Sequence, residues 1–260
     1  MKVLSWEEFG LSYEAERPMA ATVGVFDGLH VGHRLLIERV LAHGKGRVAT
    51  AFTFTQNPKA VLRPESYGGD LASLAQRLEA FESMGLDLVV LIDFSGNFSK
   101  LAGRDFLSAL YSRGSLEYIA VGSNFSCGHG LDVDACSLKS FYGALGVEAE
   151  VVEPVMRGSS PVSSSRIRRA IVEARLEEAA AMLGHDYELD LRKVRVEGDG
   201  SELRFERPRG LVLPPVGIYE ATAMGSKAAA LFKVEPEALS LVAIDGRPLG
   251  QVSFIKLTKD

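Results

Sequence analysis

Residues 19–26, Met-Ala-Ala-Thr-Val-Gly-Val-Phe, form a short apolar run without polar alternation. That is the pattern of a strand covered on both faces. Past Asp27-Gly28 the period changes. Leu35, Leu36, Arg39, Val40 and His43 recur at helical spacing, and Gly44 is placed to end the helix. The alternation then repeats: 48–54, 86–94, 118–121 and 147–152 read as strands, while 71–84, 103–111 and 137–145 read as helices. Strands alternating with helices predict crossover connections and a parallel sheet, whose ligands bind beyond the carboxyl ends of the strands. Attention therefore falls on the residues just after Phe26, Phe54, Phe94, Val121 and Val152. Three serines, 163–165, precede an amphipathic helix or helix pair over 166–183, where Ile167, Ala170, Ile171, Ala174 and Leu183 supply the apolar face.

From about Asp186 the texture differs. Short strand-like runs at 189–196, 203–206, 217–223, 228–234, 239–244 and 251–257 are separated by turn signals: Gly198-Asp199-Gly200, Pro214-Pro215, Gly225-Ser226 and Asp245-Gly246. The expected division is an α/β domain over 1–185 and a small all-β module over 186–260. Composition narrows the picture. Of 260 residues 47% are hydrophobic, enough for a sizeable core, and the net charge of −5 with no basic run argues against a nucleic-acid partner. The start, Met-Lys-Val-Leu-Ser-Trp-Glu-Glu, carries no signal-like apolar stretch, and no run approaches a membrane span, so a soluble, cytoplasmic protein is expected. Two cysteines, Cys127 and Cys136, are too few for a four-cysteine zinc site.

The most informative stretch is Gly24-Val25-Phe26-Asp27-Gly28-Leu29-His30-Val31-Gly32-His33. Its glycines flank a strand-to-helix turn where a backbone can approach a phosphate closely. The histidines, three apart, share one face of a helix start, and a positive helix end plus two imidazole donors suits a polyphosphate gaining charge in a transition state. It is neither a Walker A loop nor Gly-x-Gly-x-x-Gly. Structural histidines are an alternative, as is a zinc site, which needs a further ligand that Asp27 could supply only awkwardly. The second motif is Val162-Ser163-Ser164-Ser165-Arg166-Ile167-Arg168-Arg169. Plain helix capping explains one serine; three serines followed by arginines also suit β- and γ-phosphates.

These residues carry a resemblance. Gly24–His33 resembles the Gly-x-Phe-Asp-Gly-x-His-x-Gly-His signature of the prokaryotic FAD synthetases, bifunctional riboflavin kinase/FMN adenylyltransferases. Residues 162–168 resemble their Ile-Ser-Ser-Thr-x-x-Arg motif. Phe52-Thr53-Phe54-Thr55-Gln56-Asn57-Pro58 stands where that family has Phe-x-Pro-x-Pro. Val121-Gly122-Ser123-Asn124-Phe125-Ser126-Cys127-Gly128 stands where it has Val-Gly-x-Asp/Asn-Phe-x-Phe-Gly. The resemblance implies a Rossmann-like nucleotidylyltransferase fold with a parallel sheet, followed by a small barrel-like all-β domain. The implied reaction is AMP transfer from ATP to FMN, with Mg2+ carried on the ATP phosphates and no protein metal ligand assigned. The implied roles are ATP contacts from Gly24, Val25, Phe26, Asp27, Gly32, Ser163 and Ser165. Catalysis would fall to His30, His33, Asn124, Ser164 and Arg168, and the flavin pocket to Phe54, Asn57, Pro58 and Phe125. Core packing is the alternative use of Phe54 and Phe125.

Departures from the family fall mainly on the flavin side: Gln56 replaces a proline, Ser126 an Arg or Thr, and Cys127 a Phe. Cys127 is read as a small hydrophobe or as a reactive thiol. After residue 185 the kinase's Gly-x-Pro-Thr-Ala-Asn loop has no counterpart, although 210–219 resembles the strand that follows it. The implied chain is therefore an adenylyltransferase with a kinase-dead β module. The alternatives are an enzyme keeping both activities, an adenylyltransferase for another phosphate acceptor and a non-catalytic flavin- or nucleotide-binding regulator.

Overall fold

The computed structural model describes all residues except 12–16, 95–97, 199, 225–227, 247, 250, 251, 253 and 258–260, and the side chain of Phe254. Two of the turn signals above, at Asp199 and at Gly225-Ser226, and Gln251 of the last expected strand lie outside the described residues. Contacts divide the chain into two units: Met1–Tyr67 with Arg77–Pro161, and Gly68–Gln76 with Val162–Asp260.

The first unit is built on six strands: β1 (Lys2–Ser5), β2 (Met19–Val23), β3 (Val48–Phe54), β4 (Leu88–Ile92), β5 (Leu116–Gly122) and β8 (Glu148–Val152). They lie in the order β1-β4-β3-β2-β5-β8, every pair parallel. The helices are α1 (Trp6–Leu11), α2 (Val31–Ala42), α3 (Pro58–Leu62), α4 (Leu74–Met84), α5 (Gly103–Gly114) and α6 (Ala135–Gly143). Two-residue strands β6 (Ser126–Cys127) and β7 (Val133–Asp134) pair as a small antiparallel ladder, as do β9 (Met156–Arg157) and β10 (Ser160–Pro161).

Strand side chains alternate between faces, so one sheet feeds two cores. On one side Ala20, Ala49, Ala51, Val89 and Tyr118 pack with Leu36, Ile37 and Val40 of α2 and Phe81 of α4. On the other, Met19, Ala21, Phe52, Val90 and Ile119 pack with Phe9 of α1, Phe106 and Leu110 of α5 and Leu138 of α6. This is the expected Rossmann-like α/β layering. The chain moves outward from β2 through β3 to β4, then returns to the far side of β2 with β5. That reversal makes the carboxyl ends of β2 and β5 the topological switch point, the place where open parallel sheets bind ligands.

The edge strand β1 and helix α1 were not anticipated. β1 is four residues long and half exposed, too short for its pattern to stand out.

In the second unit, α7 (Ser164–Val172) and α8 (Leu176–Leu183) form the expected helix pair. They precede strands β11 (Tyr187–Asp190), β12 (Val196–Glu197), β13 (Glu202–Glu206), β14 (Gly217–Met224), β15 (Ala228–Val234), β16 (Ala238–Ala243) and β17 (Phe254–Leu257). These form a curled antiparallel half-barrel in the order β11-β17-β14-β15-β16-β13-β12. Strict alternation in β13 and β14 buries Leu203, Phe205, Tyr219, Ala221 and Ala223. The run expected as one strand over 189–196 is two. The carboxylate of Asp190 accepts from the Arg192 amide at 3.1 Å and from its guanidinium at 2.9 and 2.8 Å, which folds the chain into a turn there.

Candidate active site

The turn between β2 and α2 is shaped by rings as much as by glycines. Phe26 is fully buried with left-handed backbone (φ 52°), and Asp27 is buried beside it. A Cβ on Gly24 would lie 3.1 Å from the Phe26 ring, and one on Gly32 3.3 Å from the His30 ring. A side chain at either position would press on an aromatic ring, which would have to shift by a few tenths of an ångström. His30 caps α2, its Nδ1 accepting from the His33 amide at 3.3 Å. An accepting Nδ1 on a neutral ring leaves the proton on Nε2, so His30 retains one N–H donor. The rings of His30 and His33 stack with centroids 3.6 Å apart, and Phe26 meets His33 edge-on at 5.3 Å.

Both histidines are held neutral. Burial pushes His30 down to about 4. It also drives His33 well below the ordinary imidazole value, helped by His30 and by the positive charge of Arg77. Arg77 is a residue the sequence reading missed. It is buried on α4, and its guanidinium donates to the carbonyl of Val25 (3.1 Å), Thr53 Oγ1 (3.1 Å) and the carbonyls of Phe54 (3.0 Å) and Thr55 (3.5 Å). Thr53 Oγ1 donates to the same Val25 carbonyl at 3.1 Å. One side chain thus ties the loop after β2 to the end of β3. The available signal was an arginine at the apolar spacing Leu74, Arg77, Leu78, Phe81.

Asn124 follows β5, the neighbour of β2, so it leaves the sheet at the same edge as the histidine loop. It is exposed, in a turn closed by the Phe125 amide on the Gly122 carbonyl at 2.9 Å. Phe54 and Phe125 are partly buried against the core, and Phe54 stands edge-on to Phe94 at 5.7 Å. Asn57 is buried and caps α3, accepting from the Lys59 amide at 3.1 Å, with Pro58 opening that helix. Cys127 is partly buried against the same core, and burial with nearby Asp132 pushes its thiol up to about 12. A thiol so protonated at neutral pH is no ready nucleophile.

The serine motif belongs to the second unit. Ser163 caps α7, accepting from the Arg166 amide at 3.3 Å, while Ser164 is half-buried and Ser165 exposed. Arg168 Nε donates to the Gly69 carbonyl at 2.6 Å. No described helix is long and apolar enough to cross a membrane. Among the described residues no group of three or more His, Cys, Asp or Glu is placed to hold a metal ion.

The family model described as FAD synthetase matches residues 12–166. The chain belongs to the FAD synthetase family. The bifunctional riboflavin kinase/FMN adenylyltransferase of Escherichia coli K12 is 26% identical over 222 residues, which are 83% of this chain and 71% of the relative. The FAD synthetase of Listeria monocytogenes is 25% identical over 66% of this chain and 70% of its own length. A solved structure described as a macrolide-efflux protein from Streptococcus pneumoniae shares the fold, with TM-score 0.81 and 20% identity over 99% of this chain and 90% of that one.

Proposed function

We propose that this chain is an FMN adenylyltransferase that moves AMP from ATP to FMN, giving FAD and pyrophosphate, and that it does not phosphorylate riboflavin. The observation that carries the reading is the stacked, neutral His30–His33 pair at the start of α2, at the switch point of the parallel sheet. Relatives named as FAD synthetase and FMN adenylyltransferase support the choice of substrates.

An oxygen of the FMN phosphate attacks the α-phosphorus of ATP while the bond from that phosphorus to the α,β-bridging oxygen breaks. The electron pair leaves with pyrophosphate, and no protein nucleophile is needed. Catalysis then consists of positioning and charge stabilisation. The N–H of His30 and the ring of His33, with the amides of the first turn of α2, meet phosphate oxygens as charge builds. Neutral rings donate there without a counter-anion to displace first. Gly24, Val25, Phe26, Asp27 and Gly32 line the nucleotide. Asn124 offers an amide from the β5 edge. Ser163, Ser164, Ser165 and Arg168 clamp the triphosphate, and Phe54, Asn57, Pro58 and Phe125 wall the flavin. The loop's donors suit anions, and no protein ligand set for a metal is assigned; Mg2+ bound to the ATP phosphates would supply charge neutralisation.

Residues 1–185 carry this reaction and 186–260 form the β module. Missing the Gly-x-Pro-Thr-Ala-Asn loop, that module supplies no kinase site. The partners are small molecules, without nucleic acid, in the cytoplasm. Incubation with MgATP and either riboflavin or FMN, resolved by chromatography, tests the reading. FAD from FMN alone supports it. FMN or FAD formed from riboflavin overturns the kinase-dead half, and no FAD from FMN overturns the transferase.

A further inference from the structure

Three buried side-chain atoms have no hydrogen-bond partner among the described residues: Thr22 Oγ1, His33 Nδ1 and Arg34 Nε. All three lie on β2 or the first turn of α2, the elements that flank the glycine loop. Buried polar groups are normally satisfied, so two orphans on successive residues of one helical turn, His33 and Arg34, mark where a ligand completes the bonding. We propose that Arg34 binds a phosphoryl oxygen of a bound substrate, its guanidinium kept without a protein partner for that purpose. The inference rests on the adenylyl-transfer reading.

Position, charge and contrast support it. The Arg34 amide donates to the His30 carbonyl at 3.0 Å, which places it in the first helical turn. Four residues on from His30, it shares that residue's helix face. With His30 and His33 neutral, Arg34 brings a permanent positive charge to this turn. The other described half-buried arginines have protein partners: Arg47 meets Glu117 at 2.8 Å, Arg166 meets Glu178 at 3.6 Å and Arg168 donates to the Gly69 carbonyl at 2.6 Å. Among the described residues Arg34 meets no carboxylate. A planar guanidinium fits phosphate oxygens two at a time, so a phosphate is the fitting partner. The phosphate belongs to ATP or to FMN, and kinetics separates the two.

Arg34→Met and Arg34→Lys are compared with the unmodified chain in FAD formation, varying ATP at saturating FMN and the reverse. Thermal unfolding is followed with and without ATP or pyrophosphate. Arg34→Met is expected to lower kcat/KM at least tenfold for one substrate, Arg34→Lys to recover part of it, and unliganded stability to stay level or rise. A loss confined to the ATP series assigns the triphosphate, and one confined to the FMN series assigns the flavin phosphate. Unchanged kinetics in Arg34→Met overturns the proposal. So does lower unliganded stability with an activity loss that lysine does not relieve. If the unmodified chain makes no FAD, the transferase reading falls, and calorimetry with ATP and pyrophosphate still decides Arg34: equal affinity in Arg34→Met overturns its role.

Discussion

Helices α2 and α7 both begin with a motif proposed to bind phosphate, yet the side chains of their first turns are engaged differently. At α2 the turn is rigid and incomplete. Phe26 and Arg77 pack against and bond the loop, while His33 Nδ1 and Arg34 Nε are buried with no hydrogen-bond partner among the described residues. At α7 Ser163 already caps the helix and Arg168 already holds the Gly69 carbonyl. A site that keeps unsatisfied donors in place needs no reorganisation to receive an anion. A motif whose groups are engaged within the protein contributes to stability first, and any work on a ligand must compete with those bonds. Substitutions at α2 should therefore strike turnover, and substitutions at α7 should strike stability as well.

The largest expected effect is at the histidines. His33→Ala should lower turnover by about 100- to 1,000-fold with folding retained, the scale of losing a transition-state hydrogen-bond donor. Steady-state rates with a circular dichroism control check this, and an unchanged rate removes His33 from the chemistry. Next, Arg77→Ala should cost about 3 kcal/mol of stability, because it removes a buried guanidinium that donates to Thr53 Oγ1 and to the part-buried carbonyls of Val25 and Phe54. Urea unfolding measures it, and a loss under 1 kcal/mol would show that the loop holds itself. Ser163→Ala should cost about 1 kcal/mol through the lost cap. If turnover falls in proportion to unfolding alone, α7 is structural; a larger fall gives the serine a ligand role.

The pH dependence is the smallest effect. Folded-state values of His30 and His33 below the unfolded imidazole value mean that the unfolded chain binds more protons as pH falls. Their contribution to stability is fully present above about pH 6.5, the unfolded imidazole value. It is lost progressively as pH falls toward the folded value of His30, about 4. His30→Gln should flatten the part of the curve between those limits in denaturation series at several pH values.

Much of this was legible in the chain itself. Strands β2, β3 and β4 are apolar without alternation because both faces are covered, and β13 and β14 alternate because one face is not. The histidine motif was legible because glycine, aromatic and imidazole side chains must meet within ten residues. Arg77 was not, since its partners lie 22 to 52 residues away and only the fold brings them together. The edge strand β1 carried too little pattern. The break after Asp190 depends on a side chain bonding its own backbone neighbour, which hydrophobic spacing does not record.

Adenylyl transfer to FMN at the first turn of α2 can be followed atom by atom. ATP labelled at the α-phosphorus, incubated with FMN and the purified chain, tests it directly. Label is expected in FAD and not in pyrophosphate, with transfer slowed at least 100-fold in His33→Ala. Label that stays in ATP while FMN binds, or equal transfer by the unmodified chain and His33→Ala, would contradict it.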